Sequence, residues 1–243
     1  MRPITILQFS PHDPPGHLES FLAARTLPVR VRRIDAGDPV PPDPSDCSGL
    51  VLLGSTDSAN DDERLPWLPA ALSLVRAADA GGVPVLGHCF GAQLIARAFG
   101  ARVAQAPARE SGWRSVRVEH APQAAEWTGL PAGAAVEAFC WHDEAAALPR
   151  GAVRLLSGSH CENQGFVVNG RHLALQPHLE IMEPTVHEWA RRNRRQVEEL
   201  VAAGDAPGVQ PIERMLERLE PRTRAAHALA DRLYGRWVRG LRA

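Results

Sequence analysis

The sequence of 243 residues contains no lysine, because all 27 of its basic residues are arginine. A pyridoxal phosphate enzyme needs a lysine amine for its Schiff base. A Walker A phosphate loop also ends in a lysine that contacts the nucleotide. Both kinds of site are therefore excluded for this chain.

Long apolar runs and an excess of one charge are also missing. No stretch approaches the roughly 18 consecutive apolar residues that cross a bilayer. The short apolar run at the N-terminus is interrupted by Pro14 and Pro15, which is not the pattern of a signal peptide. The net charge of -1 gives no footprint for nucleic acid or for an anionic membrane. We therefore expect a cytoplasmic protein with no nucleic acid or membrane partner.

Cysteine occurs four times, and the spacings match no paired zinc site. A disulfide framework is not expected in a cytoplasmic chain of this size. The four cysteines are Cys47, Cys89, Cys140 and Cys161. We predict that one of them is a functional thiol and that the others are structural.

The first hundred residues alternate between short apolar segments and segments rich in alanine and leucine. The apolar segments are not half-polar, which predicts strands buried on both faces of a parallel sheet. Strand–helix alternation of this kind is typical of a doubly wound α/β fold with a mostly parallel sheet and flanking helices. The predicted strands are Ile4–Phe9, Val29–Ile34, Leu50–Leu53 and Val83–Gly87, and the predicted helices are Leu65–Ala80 and Phe90–Phe99.

The middle third reads as shorter strands that extend or pack on this sheet, with Asn169-Gly170 as a hairpin turn between the last two. These strands are Ser115–Glu119, Ala134–Ala138, Val153–Ser157, Gly165–Asn169 and His172–Gln176. A long helix follows over Thr185–Ala203, and Gly204 breaks it. We predict one domain over 1–203 and a helical C-terminal extension over 204–243. The extension covers the core, or else forms an accessory hairpin or an oligomer contact.

The most specific local signal is a cysteine between two glycines, Gly87-His88-Cys89-Phe90-Gly91, at the junction of a predicted strand and helix. This is the setting of a nucleophile elbow, with cysteine in place of serine. The sharp turn strains the backbone at Cys89 and exposes its side chain, and the positive end of the helix dipole favours a thiolate. The N–H of Phe90 then points to where an oxyanion would form. The strand and helix favour this reading over a buried structural cysteine.

A thiol nucleophile needs a base, and the base needs a group that orients it. His178 follows a predicted strand, and Glu180 lies two residues later. If the backbone stays extended, both side chains project to the same side, where Glu180 can accept the imidazole N–H. We predict a catalytic triad of Cys89, His178 and Glu180.

These motifs resemble the class I glutamine amidotransferase domain, in particular its stand-alone branch similar to the glutaminase portion of GMP synthase. The resemblance covers roughly residues 50–188. Its ordered blocks are GHCFGAQLIARAFGARV from Gly87, Trp113 in ESGW, Trp141-His142-Asp143, Glu162–Phe166 and LALQPHLEI from Leu173. It implies a flavodoxin-like fold of three layers.

The resemblance also implies roles for further residues. Gly54 would supply a second backbone N–H to the oxyanion hole beside that of Phe90. Gln93, His142 and Asp143 would lie at the bound substrate, and Trp113 and Trp141 are expected to line the site. The sequence departs from the family's pattern at His88, where an aliphatic residue is usual, and in the segment that follows Gly54.

The expected reaction is hydrolysis of the γ-amide of glutamine through a γ-glutamyl thioester, with release of ammonia and with neither a metal nor an organic cofactor. Because the chain has no synthetase segment, two enzyme readings stay open. It hands ammonia to a separate synthetase subunit, or it hydrolyses γ-glutamyl peptides by itself. A non-enzymatic binding or regulatory protein on the same fold is the alternative from another class.

Overall fold

The computed structural model describes residues 1–204 and 206–242. Asp205 and Ala243, which fall within the predicted C-terminal extension, lie outside the described residues. The strands are β1 (Ile4–Gln8), β2 (Val29–Arg33), β3 (Gly49–Leu52), β4 (Val85–His88), β5 (Val103–Val118), β6 (Ala135–Ala146), β7 (Val153–Ser157), β8 (Gly165–Val168) and β9 (His172–Leu175). The helices are α1 (His17–Ala23), α2 (Leu68–Ala80), α3 (Phe90–Ala98), α4 (Pro122–Thr128), α5 (Glu183–Ala203), α6 (Ile212–Leu216) and α7 (Leu219–Val238).

The strands form one sheet in the order β2-β1-β3-β4-β9-β8-β7-β5-β6. The first five of these strands are parallel, and the remaining pairs are antiparallel. The parallel part has the strand order of flavodoxin-like folds, whose ligands bind beyond the carboxyl ends of the strands. The predicted α/β fold is confirmed, and the middle third extends the main sheet.

Helices cover both faces of the sheet, and successive residues of a central strand pack against the helices on opposite faces. In β3, Val51 faces one apolar cluster with α1, α5 and α7, whereas Leu50 and Leu52 face the other with α2 and α3. A strand that buries both faces has to be apolar at every position. The burial pattern of β3 therefore accounts for the continuous apolar run read in the sequence.

The expectation that the second strand is buried on both faces is wrong. β2 is an edge strand, and its residues Val29, Arg30, Val31 and Arg33 are exposed. Its three arginines are charged residues of the kind that discourage pairing of an open edge with another chain.

The strands predicted over Ser115–Glu119 and Ala134–Ala138 are too short. They belong to a long β5–β6 hairpin in which the register shifts between Gln105 and Glu110. Pro107 lies in this irregular stretch, where a missing backbone N–H is tolerated. Long-range pairing with β6, rather than local apolar periodicity, makes this polar segment a strand.

The C-terminal extension is helical in its described residues, as predicted. α7 buries one face against the same apolar cluster that contains residues of β1, α1 and α5, and the buried residues include Leu229, Leu233 and Trp237. The helix therefore covers the core. Among the described residues, no helix combines the length and apolar character that crossing a bilayer requires.

Candidate active site

The predicted site residues meet at the carboxyl edge of the parallel strands. Gly54 follows β3, Cys89 follows β4, and His178 follows β9. Because β3, β4 and β9 are parallel neighbours, their ends lie side by side. The sheet topology thus brings together residues that are far apart in the chain.

Cys89 sits in a sharp turn between β4 and α3. Its φ of 48° is in the left-handed region, which is rare for a residue with a side chain. Its N–H donates to Leu175 O at 2.8 Å, which ties the turn to β9. Polar atoms lie near the thiol: Gln176 Nε2 is 3.7 Å away and Trp141 O is 3.8 Å away. This geometry is that of a nucleophile elbow.

The glycines on either side let the turn pack this closely. A Cβ on Gly87 would lie 2.5 Å from the backbone of Gly91, and a Cβ on Gly91 would overlap the carbonyl of Leu52. The helix therefore starts directly over the strands. Phe90 is the first helical residue, and its N–H belongs to the first turn, where no intrahelical acceptor exists.

His178 and Glu180 form a buried pair. His178 Nδ1 lies 2.7 Å from Glu180 Oε1, and both side chains are nearly inaccessible to solvent. The chain turns at Leu179 and Glu180 instead of continuing as an extended segment. Backbone hydrogen bonds fix this turn: the N–H of His178 donates to Phe139 O at 2.7 Å, and the N–H of His17 donates to Glu180 O at 2.8 Å.

Charge pairing in this buried place changes both titrations. Burial works against ionisation of Glu180, but the imidazoles of His88 and His178 outweigh it and hold the pKa of the carboxyl well below its usual range. Burial also lowers the pKa of His178, but Glu180 and Cys89 outweigh that effect and raise it well above its ordinary value. The pair therefore favours an imidazolium beside a carboxylate, next to the thiol.

The other three cysteines lie away from such an environment. All four cysteines are free and buried. Burial is the first cause that raises the pKa of Cys47, of Cys140 and of Cys161, the last to about 12. Neutral thiols of this kind are poor nucleophiles.

Gly54 lies directly against the histidine. A Cβ on Gly54 would lie 3.1 Å from His178 Cε1 and 2.5 Å from Asp13 Oδ1. Asp13 is a buried carboxyl in the loop after β1, and burial raises its pKa despite the opposing charge of His178. Only a glycine fits between these two side chains.

The three predicted substrate-binding residues all line one cavity with Cys89 and His178. Gln93 is buried on α3, and its Nε2 donates to Glu144 O at 2.9 Å. His142 is also buried, with its ring nitrogens 3.0 Å from Glu110 Oε2 and 3.1 Å from Glu144 O. Asp143 is more exposed and pairs with Arg109. Two of the three are thus held within the wall, and Asp143 stands at its rim.

The cavity measures about 570 Å³, within the roughly 300–1,000 Å³ of typical ligand pockets. Its wall carries carboxylates, among them Asp57 and Glu144, and the guanidinium groups of Arg109 and Arg192. Charged side chains of both signs therefore line the cavity that contains the thiol.

One buried group of potential metal ligands lies behind this wall within the described residues. Glu110, His142 and Cys161 each place one ligand atom within 4.8 Å of the others. Glu110 Oε2 already accepts from Gln164 Nε2 at 2.6 Å and faces His142 Nε2. Hydrogen bonding thus accounts for this group.

Sequence reasoning missed several residues of the site. Asp13 lies after β1, at the carboxyl edge where ligands of such sheets bind, and this position was the available signal. Trp189 of α5 packs edge-on against the His178 ring at 4.8 Å, and no local pattern indicates it. Of the two tryptophans expected to line the site, Trp141 does, whereas Trp113 is buried in the core and donates to Met215 O.

The fold and the site together define a class, that of α/β proteins with an elbow cysteine at the carboxyl edge of a flavodoxin-order sheet. The chain belongs to the class I glutamine amidotransferase family, because the family described as "Glutamine amidotransferase class-I" matches residues 17–193.

Relatives of known structure and sequence support this assignment. The chain is similar to the crystal structure of a glutamine amido transferase from Methylobacillus Flagellatus, with 40% identity, a TM-score of 0.95 and coverage of 100% of this chain and 96% of that chain. It is 36% identical over 137 residues, 55% of this chain, to a glutamine-hydrolyzing GMP synthase subunit of Thermoplasma acidophilum. It is 31% identical over 153 residues, 61% of this chain, to Gamma-glutamyl peptidase 4 of Arabidopsis thaliana. The chain spans 63% and 60% of these two curated relatives.

Proposed function

We propose that the protein is a cysteine-dependent glutaminase of the amidotransferase type, which hydrolyses the γ-amide of glutamine and releases ammonia. The observation that carries this proposal is the elbow at Cys89 beside a histidine that Glu180 holds at 2.7 Å. A thiol, a base and an orienting carboxylate are the minimum set for acyl transfer through a covalent intermediate.

The reaction has two stages. The thiolate of Cys89 attacks the γ-carboxamide carbon and forms a C–S bond, and the tetrahedral intermediate then collapses with cleavage of the C–N bond. His178 gives its proton to the departing nitrogen, so that ammonia leaves. Water then loses a proton to His178 and attacks the thioester, which breaks the C–S bond and yields glutamate. The sum is glutamine and water giving glutamate and ammonia.

The oxyanion of each tetrahedral intermediate would be held by backbone N–H groups of Gly54 and Phe90. Both residues flank the thiol at ends of neighbouring elements, and such fixed donors cost no reorganisation during the reaction. Gln93 and His142 would shape the wall against the amide end of the substrate. Asp143 at the rim would face the α-ammonium group, with an arginine of the cavity at the α-carboxylate.

A second candidate function is hydrolysis of γ-glutamyl peptides by the same chemistry. The cavity that contains Cys89 is also lined by Arg192, Asn193 and Gln196 of α5, which would face the part of a γ-glutamyl peptide beyond the scissile amide. One of the relatives is named as a gamma-glutamyl peptidase. The relative named as part of a GMP synthase favours instead transfer of the ammonia to a separate synthetase partner.

The test is glutamate release from glutamine and, separately, from γ-glutamyl dipeptides. Cys89→Ser removes the thiol. Cys47→Ser serves as the matched control, because Cys47 is a buried cysteine that does not line the cavity; its thiol donates to Pro44 O at 3.3 Å. We expect release that disappears with Cys89→Ser and persists with Cys47→Ser. The preferred donor distinguishes the two enzyme functions.

A glutamine-mimicking chloroketone provides the second arm. We expect it to alkylate Cys89 and to abolish the activity of Cys47→Ser as it does that of the wild type. Release of glutamate that survives Cys89→Ser would overturn the thiol mechanism. If no donor is hydrolysed and the chloroketone leaves Cys89 unmodified, the protein is a non-enzymatic binding protein on the same fold.

A further inference from the structure

Three buried side chains link the C-terminal helix α7 to the proposed catalytic pair. Tyr234 Oη lies 3.0 Å from His88 Nε2, and His88 Nδ1 lies 2.9 Å from Glu180 Oε2. Tyr234 and His88 are completely buried, and Glu180 is 5% exposed. Glu180 Oε1 is the atom that contacts His178 Nδ1. The two oxygens of one carboxylate therefore face two different histidines.

We propose that His88 and Tyr234 are positioning residues, which hold the side chain of Glu180 and through it orient His178 for the thiol reaction. This inference rests on the proposed function, because the orientation of His178 has a consequence for rate only if His178 serves Cys89. It gives α7 a part in the chemistry and assigns a role to the residue where the family's pattern has an aliphatic side chain.

The tyrosine fixes which nitrogen of His88 carries the proton. Burial, with the nearby charge of Glu180, raises the pKa of Tyr234 well above its usual value, so the phenol keeps its proton. In the neutral tautomer of His88 that carries its N–H on Nδ1, the Tyr234 O–H donates to Nε2 and the ring N–H faces the carboxylate. A phenylalanine at 234 would remove this control of the tautomer and leave the ring in place.

The histidine meets a need of the buried carboxylate. Oε2 of Glu180 and Nδ1 of His88 are both buried and lie 2.9 Å apart, but neither atom makes a hydrogen bond of acceptable geometry. The contact is therefore a short electrostatic one rather than a well-aligned hydrogen bond. With an aliphatic residue at 88, Oε2 would lose this close polar neighbour, and a buried acceptor in apolar surroundings is strongly unfavourable.

The backbone around Glu180 is held separately from its side chain. The N–H of His17 donates to Glu180 O, and His227 Nε2 lies 2.8 Å from Ile181 O. Loss of the phenol or the imidazole would thus loosen the side chain without unfolding the turn. The titratable groups that act electrostatically on or with Glu180 are His88, His178, Asp13, His227 and Tyr234.

The experiment compares Tyr234→Phe, His88→Leu and His88→Asn in the full-length protein. His88→Asn keeps an amide N–H close to the place of Nδ1, so it should rescue part of what His88→Leu loses. Thr223→Val is the matched control, because it removes another buried hydroxyl of α7 that bonds within the helix, to Leu219 O and Glu220 O. kcat and KM for glutamate release are measured across pH for each variant.

For Tyr234→Phe we expect kcat to fall about tenfold with KM nearly unchanged, which is the effect of one buried hydrogen bond on a barrier. For His88→Leu we expect a larger loss and a narrower pH profile. A less firmly ionised Glu180 lowers the pKa of His178, so the imidazolium beside the thiol exists over a smaller pH range. In the His88→Leu background, Tyr234→Phe should have little further effect, because the two act in series.

The inference is overturned if the wild-type protein is active and Tyr234→Phe matches Thr223→Val in kcat and in pH profile. It is also overturned if kcat falls with no change in the shape of the profile in any of the three variants. A protein that hydrolyses no donor would instead refute the proposed function. In that case the ¹⁵N and ¹H resonances of the His178 ring still decide the positioning role: we expect the Nδ1–H signal to shift in Tyr234→Phe and not in Thr223→Val.

Discussion

At the scale of single residues, Gly54 has no space for a side chain. A methyl group there would meet His178 Cε1 and Asp13 Oδ1, at 3.1 and 2.5 Å from an ideal Cβ. In Gly54→Ala the histidine or the carboxyl has to move, and a displacement of about 1 Å in such a site costs on the order of 100-fold in rate. We expect that loss in kcat/KM for glutamate release, with a folded protein by circular dichroism.

Gly235 is the matched control for this substitution. It lies within α7, has an ordinary φ, and has open space around its Cβ position. Gly235→Ala should leave kcat/KM unchanged and stabilise the helix by about 1 kcal/mol. Equal activity of both variants would show that Gly54 does not border the reacting groups.

The lowered pKa of Glu180 also makes the free energy of unfolding depend on pH. Its folded pKa is lowered, by His88 and His178 against the effect of burial, from an ordinary value of 4.5. Above pH 4.5 the carboxyl is ionised in both states, and its stabilisation is fully present. Below that pH the unfolded chain takes up the proton first, so the free energy of unfolding decreases as the pH falls.

We therefore expect Glu180→Gln to be less stable than the wild type at about pH 7 and to lose less stability between about pH 5 and about pH 3, as measured by urea denaturation. Glu199→Gln is the control, because Glu199 is exposed and pairs with Arg195 at the surface. An unchanged pH slope in Glu180→Gln would contradict the buried ion-pair geometry.

The sequence allowed the prediction of residues whose neighbours are close in the chain. Gly87, Cys89 and Gly91 are read from one turn, and His178 and Glu180 from one short segment. Asp13 and Tyr234 were not predicted, because their contacts join residues far apart in sequence. His88 was noted only as a departure from a family pattern, since its partner Tyr234 is 146 positions away.

At the scale of elements, prediction succeeded where local pattern and burial agree. The apolar runs of β1, β3 and β4 are buried on both faces, and the sequence shows this directly. The run of β2 contains three arginines among its valines, and β2 is an edge strand of the sheet. The strands predicted for the β5–β6 hairpin are too short, because pairing between the two strands, and not local sequence, sets their length.

α7 is an element whose stability should depend on burial rather than on its own helix propensity. Trp237 is 1% exposed and packs against Gly49 at the base of β3, where a Cβ would lie 3.1 Å from its ring. Trp237→Ala should therefore destabilise the protein by about 3–5 kcal/mol in urea denaturation. Arg239→Ala, at an exposed position just after the helix, should change stability by roughly 0.5 kcal/mol or less.

At the scale of the whole molecule, the boundary between 1–203 and 204–243 stays a prediction from sequence. The packing of α7 indicates whether the two segments unfold separately or together. Leu229, Leu233 and Trp237 of α7 belong to the same apolar cluster as Ile4 and Ile6 of β1. A segment that shares its core with the central sheet has little apolar surface of its own to fold around. We propose that the extension and the domain unfold as one cooperative unit.

The expected outcome is a single transition in urea, with the same midpoint by tryptophan fluorescence and by far-ultraviolet circular dichroism. Trp237→Ala should shift both midpoints together, because loss of packing in α7 weakens the shared core. Glutamine bound reversibly to Cys89→Ser should raise both midpoints of that variant as well, since a ligand that binds only the native state stabilises the whole unit. Two separated transitions, with only the first responding to Trp237→Ala, would mean that α7 folds as an appendage. Its contact with His88 could then be lost while the site at the sheet edge persists.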